Sequence, residues 1–186
     1  MSGEEPLMKR FLLIGAVFFC SVALSACGKS AKQLNNTGIE YFNASEYEKA
    51  VTAFEQAIDK DKDGKPEYNV NLGKSYIELG KYEEAISYLN KYNGKDEILK
   101  AKAIACKGDA FAGLEKYKDA VSCYEKAAKV ADNMFAAAYL LKAGVACEEL
   151  GDNAKALSFY KTIKDQYPQS MEGYDIDKYI SRIENK

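Results

Sequence analysis

Four residue registers recur along this chain at a nearly constant interval, and that interval restricts the fold more than any other feature. Glycine stands at Gly38, Gly73, Gly108 and Gly144. Three residues on come Tyr41, Tyr76, Phe111 and Cys147. Twelve residues after each glycine comes alanine, at Ala50, Ala85, Ala120 and Ala156, and four further on come Phe54, Leu89, Tyr124 and Tyr160. The offsets between units are 35, 35 and 36 residues.

The stretch 67–92 shows what one unit is. Leu72, Tyr76 and Leu79, then Tyr82, Ala85, Ile86 and Leu89, recur at helical spacing and put an apolar stripe on each of two helices. Gly80 separates them, and glycine readily adopts the left-handed conformation that ends a helix. The unit is a helical hairpin. Glycine inside a helix costs about 1 kcal/mol against alanine, so four at one register imply close helix contact, with a large side chain packed over each. No single hairpin buries its own apolar face, so the units must stack. The expected fold class is all-α: a solenoid of about four hairpins and a C-terminal capping helix. Ile176, Tyr179, Ile180 and Ile183 form one apolar face for that cap.

The registers and the alanine-plus-aromatic second helix resemble those of the tetratricopeptide repeat family. The resemblance places repeats at 31–65, 66–100, 101–136 and 137–170, with Pro168 at the family's inter-repeat proline and residues 171–186 as the capping segment. Departures are Cys147 where the family favours tyrosine, Thr37 and Lys107 at usually apolar positions, and Ser45 and Glu115 in place of the turn glycine seen at Gly80 and Gly151.

The N-terminal segment has a different composition. Met8-Lys9-Arg10 precedes Phe11–Ala26, an apolar run of 16 residues. Basic residues, a short apolar run and small residues form a secretory signal, too short to span a bilayer, which takes about 20 residues. Residues 1–26 are read as the signal, with Met8 as the true start. Leu24-Ser25-Ala26-Cys27 resembles the bacterial lipoprotein lipobox. The resemblance implies that Cys27 is acylated and becomes the mature first residue, with 27–30 as a short lipidated tether. It places the protein in a bacterial cell envelope, lipid-anchored. The absence of an acidic residue after Cys27 leans toward the outer membrane, facing the periplasm. The other reading is an uncleaved signal anchor with an ordinary cysteine.

Composition narrows the chemistry. The chain has 186 residues, a formal net charge of −2, and no histidine or tryptophan. Near-neutral charge does not favour nucleic acid, and lack of histidine removes the commonest general base and transition-metal ligand. Asp59 to Gly64 carries acidic residues at alternate positions, like a calcium loop, but Val70 stands where the bidentate glutamate belongs. A solvated turn is the reading, with no metal and no cofactor. Cys106, Cys123 and Cys147 match no zinc or redox spacing. They are structural thiols, or one pair among them is bridged. Glu83-Glu84 and Glu148-Glu149 point about 100° apart on a helix and do not converge. No enzyme activity and no small-molecule substrate are expected.

The work then falls to a groove. The resemblance implies that the first helices line it, through Lys32, Asn35, Ile39 and Phe42, then Val70, Asn71, Lys74 and Ile77. Lys102, Ala105, Cys106 and Asp109 follow, then Leu141, Val145 and Glu148. The other reading packs several of these side chains on a neighbouring repeat or the cap. Of the five positions with which some family members clamp a peptide carboxylate, Asn71 and Lys102 match, whereas Asn35, Ile39 and Cys106 do not, so that mode is not expected. The mixture of apolar and charged positions suits a helix or extended segment of a protein partner. Two roles are open by analogy: an adaptor in an envelope complex, or a subunit of an outer-membrane assembly or secretion machine or a translocon-associated periplasmic chaperone. Ile77→Glu is expected to abolish partner binding and spare folding, whereas a large residue at Ala85 should unfold the array.

Overall fold

The computed structural model describes residues 28–131 and 135–185. The signal segment 1–26 and Cys27 lie outside the described residues. Among those described are nine helices and no strand. They are α1 (Ala31–Asn43), α2 (Tyr47–Lys60), α3 (Pro66–Glu78), α4 (Tyr82–Leu89), α5 (Glu97–Gly113), α6 (Tyr117–Ala131), α7 (Ala136–Glu149), α8 (Asn153–Gln166) and α9 (Met171–Glu184).

Each helix packs against the next in the chain. In addition α1 meets α3, α3 meets α5, and α7 meets α9, whereas α2, α4, α6 and α8 pack closely only on their chain neighbours. The first helices of the pairs therefore form the inner wall of the array and the second helices its outer wall.

The glycine register has the expected steric cause. A Cβ on Gly38 would lie 2.5 Å from the Phe54 ring, on Gly73 2.6 Å from Leu89, on Gly108 2.6 Å from Tyr124, and on Gly144 2.2 Å from Tyr160. Each large side chain of a second helix thus rests on the bare backbone of its first helix. Ala50, Ala85, Ala120 and Ala156 are all fully buried at the same contact. Gly113 provides a fifth close approach that the period does not announce: a Cβ there would lie 2.3 Å from the ring of Tyr82.

The four turns between paired helices share one geometry. Ser45, Gly80, Glu115 and Gly151 all have positive φ, at 60°, 69°, 58° and 73°. Each is followed by an amide that reaches back five residues: Glu46 N donates to Tyr41 O, Lys81 N to Tyr76 O, Lys116 N to Phe111 O, and Asp152 N to Cys147 O. This is the Schellman closure, and Ser45 and Glu115 adopt it without being glycine.

One boundary differs from the sequence reading. The third pair begins at Glu97, four residues ahead of 101, because Asp96 caps α5 by accepting from Leu99 N at 2.8 Å. The second helix of the preceding pair is correspondingly short, ending at Leu89. Tyr92 spans the connection, its hydroxyl donating to Asp96 O at 2.9 Å.

The core falls into two main clusters. One gathers Phe54, Val70, Leu72, Leu89 and Cys106; the other gathers Tyr124, Cys147, Tyr160, Ile163, Ile176 and Ile180. The division runs through the third pair. In α9, Ile176 and Ile180 are buried against the second cluster, with Tyr179 and Ile183 beside them, so the predicted apolar face closes the C-terminal end.

Candidate functional site: the inner wall

Two recesses open along the inner wall. The first, of about 200 Å³, is lined by Ile39, Phe42 and Asn43 of α1, Phe54 of α2, Asn71 and Lys74 of α3, and Lys102 of α5. The Lys74 ammonium sits 4.5 Å from the centroid of the Phe42 ring, a cation–π contact. Burial lowers the Lys74 pKa, and the charge of Lys102 lowers it further. Neither lysine makes a salt bridge among the described residues. Two ammonium groups share a half-buried recess beside exposed apolar surface, where an anionic group would relieve both.

The second recess, of about 250 Å³, is lined by Asp109 and Ala112 of α5, Tyr117 and Tyr124 of α6, Leu141, Lys142, Val145 and Ala146 of α7, and Tyr179 of α9. Its charged groups are already matched. Asp109 Oδ1 accepts from Tyr124 OH at 2.8 Å and from Lys142 Nζ at 2.7 Å. What remains exposed is largely aliphatic and aromatic, with Val145 40% exposed.

The sequence-predicted groove positions separate into three groups. Ile39, Phe42, Asn71, Lys74, Lys102, Asp109, Leu141 and Val145 line one recess or the other. Val70, Ala105 and Asn35 do not reach solvent, at 0%, 3% and 7% exposure. That corrects their assignment to the groove. First helices in mid-array are covered by the second helices on one side and by flanking first helices on another, so part of each supposed groove face is core. Asn35 accepts from Asn71 Nδ2 at 3.0 Å and so ties α1 to α3. Ile77 is half-buried and packs on the first core cluster, so Ile77→Glu would disturb packing and is no clean test of binding. Ile39, 39% exposed, takes its place.

Cys106, Cys123 and Cys147 are free and buried. Burial, then the neighbouring Asp109 charge, pushes the Cys106 thiol up to about 11, and burial raises Cys123 and Cys147 as well. Thiols held protonated are poor nucleophiles. In the acidic turn, Asp61 spends its carboxylate on the backbone, accepting from Asp63 N at 3.1 Å and from Lys65 N.

A family model for the tetratricopeptide repeat matches residues 35–97 and 107–170, well over half of the chain, and the protein belongs to that family. A comparison with curated proteins finds no match. Among solved structures, a crystal structure of MamA is 20% identical with a TM-score of 0.62, covering 80% of this chain and 92% of that one. TTC0263, a thermophilic repeat protein of Thermus thermophilus, is 18% identical with a TM-score of 0.63, over 83% and 81%. The first repeat domain of Spaghetti (RPAP3), bound to the HSP90 peptide SRMEEVD, is 26% identical with a TM-score of 0.53, over 69% and 94%.

Proposed function

We propose that this protein is an exported, lipid-anchored scaffold of the bacterial envelope that binds a protein partner along its inner wall, as an adaptor and without covalent chemistry. The observation that carries the binding mode is the first recess. Lys74 and Lys102, without a salt bridge among the described residues, stand beside Ile39 and Phe42, so the complementary segment presents an acidic group next to an apolar side chain. The peptide recorded with the RPAP3 domain has that character, with Glu, Glu and Asp beside Met and Val in its sequence. The second recess offers apolar surface further along the same wall, which extends the contact to a helix or extended strand of the partner. Anchoring rests on the lipobox-like Leu24-Ser25-Ala26-Cys27, and the lack of an acidic residue behind Cys27 favours the outer membrane.

The test is crosslinking in intact cells followed by mass spectrometry, comparing wild type with Lys74→Glu/Lys102→Glu and with Ile39→Glu. Both variants should fold like wild type and lose the same envelope partner. An unchanged partner set in the lysine variant would overturn the assignment of this recess.

A further inference from the structure

The outer face of the first hairpin carries a surface that the partner groove does not use. A recess of about 480 Å³ runs between α1 and α2, lined by Lys29, Leu34, Thr37, Tyr41, Lys49, Thr52, Ala53, Gln56 and Lys60. Three lysines line it: Lys49 is paired with Glu46, whereas Lys29 and Lys60 make no salt bridge among the described residues. Thr37, Thr52 and Gln56 make its lining polar.

The chain leading into this face is fixed. Ser30 and Gln33 form a reciprocal capping box on α1. Lys29 Nζ donates to Thr37 Oγ1 at 3.0 Å, and Lys60 Nζ donates to Lys29 O at 3.0 Å. Gly28 lies so close that a Cβ there would sit 3.0 Å from Lys60 Nζ. Cys27 directly precedes Gly28 in the sequence, so the expected acylation site is one residue from this segment.

We propose that the outer face of the first hairpin rests on the anchoring membrane, with anionic phosphate headgroups in the recess between Lys29, Lys49 and Lys60. This rests on the lipid-anchor reading above. The 13-residue α1 spans roughly 20 Å at 1.5 Å per residue, so contact at both Lys29/Lys60 and Lys49 lays the hairpin along the surface. The array is then held in one orientation, its capping helix α9 pointing away from the lipid.

The test uses the full chain purified from membranes and placed in detergent, in phosphatidylcholine vesicles, and in vesicles containing phosphatidylglycerol. Intact mass reads acylation at Cys27; amine acetylation, mapped by mass spectrometry, reads the surface. Lys29, Lys49 and Lys60 should be protected by roughly fivefold or more in anionic vesicles, whereas Lys161 and Lys178 at the far end should label alike in all three. Lys29→Gln/Lys49→Gln should retain its helicity and lose the protection at Lys60. Acylated protein that labels equally in vesicles and detergent overturns the surface and leaves the anchor intact. Protein without an acyl chain overturns both. Protection that appears in detergent and grows with protein concentration means that a second copy covers this end, which also overturns the proposal.

Discussion

The first two helix pairs and the last two close on the same glycine register with different side chains. Phe54 and Leu89 cover Gly38 and Gly73, whereas Tyr124 and Tyr160 cover Gly108 and Gly144. In the second half the phenol continues past the glycine to a carboxylate of the first helix, and that carboxylate takes a cation from the following element. Tyr124 donates to Asp109, which pairs with Lys142 of α7. Tyr160 donates at 2.7 Å to Glu148, which pairs with Arg182 of α9. The first half closes its hairpins by shape alone and links its pairs through Tyr76, which donates at 2.7 Å to Glu55 of α2. A repeat architecture needs nearest-neighbour coupling, and the two halves reach it differently: one closes its hairpins apolarly and ties pairs by separate hydrogen bonds, the other uses a polar relay that joins hairpin closure to the next unit.

The largest expected difference is steric. Gly144→Ala places a Cβ 2.2 Å from Tyr160, whose ring is fully buried and whose hydroxyl is fixed on Glu148. The ring cannot give way without breaking the relay, so we expect a loss of about 3 kcal/mol or more, at the upper end of overpacking costs. Gly38→Ala meets Phe54 at 2.5 Å, but that ring has no polar tether, and about 1–2 kcal/mol is expected. Denaturant midpoints of the two variants check this. Equal losses would mean that the relay does not stiffen the second half.

Next in size is the relay itself. Tyr160→Phe should cost about 1.5–3 kcal/mol, the range for hydrogen bonds to charged groups. The converse, Phe54→Tyr, should also destabilise, because Phe42 stands at the register of Glu148 and offers the new hydroxyl no carboxylate. The buried phenols also set an alkaline limit, the relay's Tyr124 and Tyr160 together with Tyr76 of the first half. Burial raises the Tyr124 and Tyr160 pKa values, and the carboxylates beside them raise these further. The folded state therefore keeps phenolic protons that the unfolded chain releases from about pH 10 upward. Stability is fully present below that pH and declines above it. Melts between pH 8 and 11 should show this decline in wild type and a flatter profile in Tyr124→Phe/Tyr160→Phe. A parallel decline in both would locate the alkaline sensitivity elsewhere.

The fold was readable in the sequence because its determinants are local and steric. A glycine and an aromatic 16 residues apart must meet if the chain forms a hairpin, whatever the rest does. The inner wall was less readable. Helical spacing shows which positions share a face, but not how much of that face the flanking helices cover. Val70 and Ala105, three residues before the repeat glycine, are core, whereas Ile39 and Val145, one residue after it, face solvent. That Lys74 and Lys102 lack a salt bridge among the described residues was equally hidden, since it depends on which carboxylates the fold leaves out of reach. The start of α5 did have a sequence signal, Asp96 three residues ahead of Leu99, masked by the regularity of the period around it.

The smallest expected effect concerns what the two halves share. Ser45 and Glu115 hold left-handed backbone at φ 60° and 58° in turns that Gly80 and Gly151 form elsewhere. Left-handed backbone costs a non-glycine residue roughly 1–2 kcal/mol, whereas glycine loses about 0.5–1 kcal/mol more in conformational entropy on folding. Ser45→Gly and Glu115→Gly should therefore each stabilise by about 0.5–1 kcal/mol. Both closing amides bond back to the preceding helix in the same pattern, so the gains should match although one turn lies in the apolar half and the other opens the relay half. Paired denaturant midpoints decide the matter. Equal gains would confine the contrast between the halves to their cores. A gain at Ser45 with none at Glu115 would show that the relay extends its constraint into the turn, and that the second half is stiffer in its backbone as well as in its packing.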